Sequence, residues 1–113
     1  INRGSAEQKR SALLVIRNLE SAEASRVAIP ALRDSDVMVR ATAAFSVVFL
    51  PADEAAQILL PLLQDRAELV RRETAYALGR VGNPAAVIPL LQIFQRDRTL
   101  EVRGAAIVAL GEI

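Results

Sequence analysis

The sequence predicts an all-α protein built as a stack of helical hairpins, and three observations predict it. The first is a phrase that occurs three times: Asp34-Ser35-Asp36-Val37-Met38-Val39-Arg40, Asp65-Arg66-Ala67-Glu68-Leu69-Val70-Arg71 and Asp97-Arg98-Thr99-Leu100-Glu101-Val102-Arg103. Each reads as an acidic turn opening a helix, with an Asp six residues before an Arg. Arg71 stands 31 residues after Arg40, and Arg103 a further 32. A fixed period of this size marks an array of repeated supersecondary units. The second observation is the small, Ala-rich run behind each Arg: Ala41-Thr42-Ala43-Ala44, then Thr74-Ala75-Tyr76-Ala77-Leu78-Gly79, then Gly104-Ala105-Ala106 with Ala109-Leu110-Gly111. The third is that apolar residues recur at helical spacing throughout. About seven helices in antiparallel pairs are expected, and no strand.

Ser5-Ala6-Glu7-Gln8 has the form of a capping box, in which Ser5 accepts an orphan amide and Gln8 reaches back. The run Leu13, Leu14, Ile16 and Leu19 then has helical spacing. Stepping back 31 from Arg40 reaches Lys9, so residues 5–20 form a partial repeat. Ser21 caps a helix over 22–33, with Val27, Ile29 and Leu32 inward, and Asp34-Ser35-Asp36 is a turn able to cap the next. Helix 36–49 buries Val39, Ala43, Ala44, Val47 and Val48. Pro51 suits a first helical position and opens helix 51–64, with Ile58, Leu59, Leu62 and Leu63 inward. Helix 67–80 turns Val70, Thr74, Ala75 and Leu78 inward, and Gly79 and Gly82 stand where a left-handed cap is wanted. Asn83-Pro84 starts helix 84–95, which buries Val87, Leu90, Leu91 and Phe94. Helix 99–111 carries Val102, Ala106, Ile107 and Leu110. Pro30, Pro61 and Pro89 fall inside first helices, where each removes a ladder bond and favours a bend. The repeats are therefore placed at 21–50, 51–82 and 83–113.

Composition restricts the function. With 113 residues, 52% of them hydrophobic and 24% charged, the chain forms one domain with a packed core rather than a disordered segment. Fourteen bases against thirteen acids leave +1, without the basic excess of a phosphate-neutralising protein. No run of 18 apolar residues suggests a membrane span, and the opening Ile1-Asn2-Arg3-Gly4-Ser5 lacks an apolar leader. A cytoplasmic protein is expected. His and Cys are both absent. This removes disulfides, thiolate nucleophiles, Cys/His zinc sites and imidazole bases. No cofactor is expected. The chain has no initiator Met and stops within a repeat, so it reads as part of a longer protein.

The Asp-to-Arg spacing, the phrases Val70-Arg71 through Ala77-Leu78-Gly79-Arg80-Val81-Gly82 and Val102-Arg103 through Ala109-Leu110-Gly111 resemble the short bacterial HEAT-like repeat, often called the phycobilin-lyase type. The first complete repeat departs from it at Val47-Val48-Phe49-Leu50-Pro51. The resemblance implies a right-handed α-α superhelix, a HEAT-like solenoid, with second helices on the concave face and protein binding as its general function. It also implies that Asp34, Asp65 and Asp97 form a ladder with Arg40, Arg71 and Arg103. Such charges at every corner fit a structural role, each Arg forking onto an acid and onto carbonyls.

If Val39, Ala43 and Val47 point inward, the residues one, five and nine after each Arg share another face. These are Ala41, Phe45 and Phe49, and Arg72, Tyr76 and Arg80. Their flanking equivalents are Arg10, Leu14 and Asn18, and Gly104, Val108 and Glu112. Aromatic and Arg side chains are enriched at interface hot spots. Ala41, Phe45, Phe49, Arg72, Tyr76, Arg80 and Val108 are therefore the candidates for partner contact, although Phe45 and Phe49 can equally seal gaps beside Ala neighbours. The acid pairs Asp34/Asp36 and Asp53/Glu54 stand at helix starts and read as caps rather than catalytic or metal sites. The expectation is a non-catalytic scaffold that binds another protein or peptide, with self-association through the stack ends. The alternatives are a phycobilin lyase-like accessory protein or a HEAT-like nucleic-acid binder drawing on Arg10, Arg17, Arg72 and Arg80. The iron enzyme that shares the repeat uses His-Glu ligand motifs, which a chain without His cannot form.

Overall fold

The computed structural model describes residues 4–113. The expectation that the chain opens without an apolar leader falls partly on residues 1–3, which lie outside the described residues. Among the described residues there are seven α-helices and no strand: α1 (Ala6–Leu19), α2 (Ala22–Val27), α3 (Val37–Ser46), α4 (Ala52–Leu59), α5 (Glu68–Val81), α6 (Val87–Arg96) and α7 (Leu100–Glu112). None is long and apolar enough to cross a membrane.

Local chemistry explains most of the boundaries. The capping box at α1 is complete: Ser5 Oγ accepts the Gln8 N–H at 3.2 Å, and Gln8 Oε1 accepts the Ser5 N–H at 3.0 Å. Ser21 caps α2 through the Ala24 N–H, and the Asp36 carboxylate caps α3 through the Val39 N–H. Gly82 closes α5 at φ 76°, a left-handed conformation that Gly adopts without a Cβ penalty.

The first helices of the pairs depart from expectation. α2 and α4 stop early, and 3-10 segments Ile29–Arg33 and Leu60–Gln64 complete them, with Pro30 and Pro61 near their starts. The tighter winding accepts a residue that has no N–H to give. Thirty-one residues after Pro61 stands Gln92, and there α6 runs unbroken to Arg96. Pro84 begins a 3-10 turn ahead of α6. Pro89 lies in the first turn of α6, where the N–H has no intrahelical acceptor, so no ladder bond is lost. Pro51 is the N-cap of α4 rather than its first residue, and α3 ends at Ser46, three residues before the expected 49.

α1, α3, α5 and α7 pack side by side in one layer, and the first-helix segments cover its other side. Neighbouring helices approach much more closely in the first layer than in the second. The second helices α1, α3, α5 and α7 are called the inner helices, and the first-helix segments the outer layer. Gly79, expected at a cap, instead lies inside α5, where a Cβ would stand 2.7 Å from Ala109 Cα. The backbones of α5 and α7 touch at that point.

Close approach also decides which residues form the core. Ala28, Ala31, Ala55, Ala56, Ala77, Ala86, Ala105 and Ala109 are buried beside Leu13, Ile16, Leu32, Val39, Val47, Leu59, Leu63, Leu78, Leu90 and Val102. Several larger residues expected inward stand outside. Val27 is 55% exposed and Ile107 47%, and Leu91 is also exposed, whereas the exposure of Leu14 agrees with its place on the outward row. α6 buries Leu90, as expected, together with Ile93, and Ala86 is buried in the turn ahead of it; Phe94 packs partly buried against the core, while Leu91 is exposed. Where the backbones of α5 and α7 touch there is room only for small groups such as Ala109, and Ile107 of the same helix stands at the flank.

Candidate partner-binding face

The turns hold the second helices in register. Arg40 forks onto Asp65 of the next repeat, Nε to Oδ2 at 3.0 Å and a terminal nitrogen to Oδ1 at 3.1 Å. The same guanidinium donates to the Asp34 and Ser35 carbonyls of its own turn. Arg71 repeats the arrangement on Asp97, at 2.8 and 3.3 Å, and on the Asp65 carbonyl. Lys9 supplies the first rung, 2.7 Å from Asp34. Arg103 has no acid among the described residues and turns back, donating to the Phe94 carbonyl at 2.8 Å with its guanidinium over the Phe94 ring. Each acid also accepts a backbone N–H two residues on, from Asp36, Ala67 or Thr99. A bidentate, half-buried fork of this kind fixes orientation as well as distance.

These contacts move the acids. Hydrogen bonding from Lys9 is the main cause that holds the Asp34 carboxyl below the usual range. For Asp65 and Asp97 burial is the largest single influence and pushes upward. It is outweighed by the combined hydrogen bonds and charges of Arg40 or Arg71 and the turn amides, so both carboxyls end lower than normal.

With the helices so fixed, their free faces form two adjoining hollows. One, of about 400 Å³, is lined by Arg72, Glu73, Tyr76, Glu101, Gly104 and Val108, between α5 and α7. The other, of about 330 Å³, is lined by Arg17, Phe45, Glu73, Tyr76, Arg80 and Glu112. Those six residues come from α1, α3, α5 and α7, so the second hollow spans all four inner helices. Tyr76 and Glu73 border both. Arg17 lies over Phe45 at 5.1 Å, its Nε buried and unpartnered. Arg72 pairs loosely with Glu73 at 3.6 Å. Gly104 leaves its hollow open, since nothing stands within 4 Å of where a Cβ would be.

The sequence candidates divide on this face. Tyr76, Arg72, Arg80, Phe45 and Val108 border the hollows. Ala41 does not: it is 3% exposed, a single methyl closed over by the packed layer, and it leaves the set of contact residues. Phe49 lies beyond the end of α3, half-buried against the core, so the row through 41, 45 and 49 is not continuous. Glu73 and Glu101, which border the first hollow, lie outside the predicted row. Glu73 stands three residues before Tyr76, a spacing that shares a helix face and that a strict four-residue row passes over.

Residues 25–111 match the family of HEAT repeats. The chain belongs to the HEAT repeat family. The match covers most of the chain and all three Asp-to-Arg turns, and it accords with the paired helices and the absence of strands among the described residues. No curated protein matches the chain. In this HEAT array the ladder sits along one edge of the inner wall and the hollows lie on its surface, so the turns set the shape of the face without being part of it.

Proposed function

We propose that this HEAT array is a non-catalytic scaffold whose inner face holds a partner protein or peptide. HEAT repeats commonly mediate protein–protein interaction. The observation that supports this reading most is the junction of the two hollows at Tyr76 and Glu73, where side chains from α1, α3, α5 and α7 converge on one concavity. Tyr offers a large rigid surface with a polar tip, and Arg72 and Arg80 beside it supply planar donors for carboxylates or backbone carbonyls. Glu73, Glu101 and Glu112 interleave with these bases, so the face suits a peptide of mixed charge with an apolar or aromatic anchor. With Arg17, Arg72 and Arg80 balanced by these three acids, the face has no net positive charge to hold a strongly anionic polymer.

The test uses the protein immobilised and challenged with extract from its own cells. Changing Arg72 and Tyr76 together to Ala removes the captured protein while far-UV circular dichroism stays the same. Capture at the original level by a variant with intact helicity would show that the partner sits elsewhere.

A further inference from the structure

We propose that the corner between the second and third repeats is a binding site for an acidic segment of another protein, whose carboxylates are held by Arg66, Arg96 and Arg98. A hollow of about 500 Å³ opens there, between the turn at Asp65 and the turn at Asp97 that follows α6. The three guanidiniums line it, and all three residues are exposed.

The charge at this corner departs from that of the chain, which is close to balanced at +1. Two acids also border the hollow, Asp65 and Asp97, and both are already engaged. The Asp65 oxygens accept from Arg40 and from the Ala67 N–H. Those of Asp97 accept from Arg71 and from the N–H and O–H of Thr99. Setting each acid against its forked Arg leaves Arg66, Arg96 and Arg98, three positive charges around one opening. None of the three pairs with an acid among the described residues. Like charges gathered in this way repel one another, and an anion between them relieves the repulsion.

The architecture does not require these bases. One step earlier in the array the counterparts of Arg66 and Arg96 are Ser35 and Gln64, both uncharged. The structural bases Arg40 and Arg71 are buried with their acids, whereas this trio points its charge at open space.

The chemistry of the lining specifies the occupant. A planar guanidinium takes a carboxylate with two parallel hydrogen bonds, as Arg40 and Arg71 do a few residues away. Gln64 and Gln92, exposed on the same hollow, each offer a donor and an acceptor to a peptide backbone. A nucleic acid calls for a longer basic track and for aromatic faces on which bases stack, and no aromatic residue lines this hollow. The site is separate from the hollows at Tyr76 and does not depend on how they are used.

The test follows the fluorescence anisotropy of a labelled peptide of alternating Glu and Gly. The peptide binds at low salt, and added salt releases it. Arg66→Gln, Arg96→Gln and Arg98→Gln each weaken binding about two- to fivefold, the range of exposed ion pairs, and the three together abolish it. Arg33→Gln, which removes the same charge outside the hollow, leaves the affinity unchanged, and so does the joint change of Arg72 and Tyr76 to Ala. The three Gln variants melt at or above the parent temperature, since each relieves repulsion. A peptide that fails to bind, or that is weakened equally by Arg33→Gln, would overturn the proposal. Melting points lowered in all three variants would overturn it too, by assigning the trio to the fold. Single-stranded DNA held through the same residues, with the Glu peptide ignored, would give the site to nucleic acid instead.

Discussion

Gly79 and Gly104 occupy helices of the same layer and make opposite demands on a side chain. A methyl at Gly79 would meet the α7 backbone at 2.7 Å. The Gly79→Ala protein should lose about 1–3 kcal/mol, the ordinary cost of overpacking, measured by urea denaturation. Gly104 has open space around it in mid-helix. Gly104→Ala should gain about 0.5–1 kcal/mol from helix propensity while weakening partner capture by filling a hollow. A stabilised variant that binds fully would remove Gly104 from the contact surface. The sequence marks both glycines but does not distinguish them: Gly79 reads as a cap because an Ala-Leu-Gly ending resembles a helix stop. Its actual constraint comes from Ala109, thirty residues away, and no local rule contains it.

At the scale of elements, the forks between turns are the joints of the molecule. Asp65→Asn keeps shape but removes the charge that Arg40 grips, leaving a largely buried guanidinium without its acid. A loss of about 1.5–3 kcal/mol is expected, typical of a hydrogen bond to a charged group. The forks also make stability depend on pH. Asp34, Asp65 and Asp97 have folded values below their ordinary ones, so their contribution is fully present above about pH 4, the unfolded range, and is lost as pH falls through the lowered folded values. Thermal midpoints should decline steeply from about pH 4 downward, and less steeply in the Asp65→Asn variant. Equal slopes would mean that the fork carries no proton linkage. The second helices are legible in the sequence because caps, spacing and the turn phrase agree. The first helices are less so: Pro30 and Pro61 signal a change of winding, but whether the outcome is a bend or a 3-10 turn depends on how each segment rests on α3 or α5.

For the whole molecule, the period of 31 to 32 residues carries the fold, and it is visible without any structure. The inner and outer flanks of each helix are harder to read. Reading large apolar residues as core places Ile107, Leu91 and Val27 inside, yet in the tight layer Ala105, Ala106 and Ala109 are buried while Ile107 is exposed, and on the outer helices Leu91 and Val27 are exposed as well. The same substitution of small for large gives the inner wall its hollows, because it draws α1, α3, α5 and α7 close enough to share one surface. That surface is the working part in this account, and site-specific photocrosslinking addresses it most directly. A benzoylphenylalanine in place of Tyr76 should yield a discrete protein adduct in cells that disappears when Arg72 and Arg80 are changed to Ala, whereas the same group in place of the outer-layer Pro61 should yield none. An adduct formed from position 61 and absent from position 76 would place the partner on the outer layer and contradict the account.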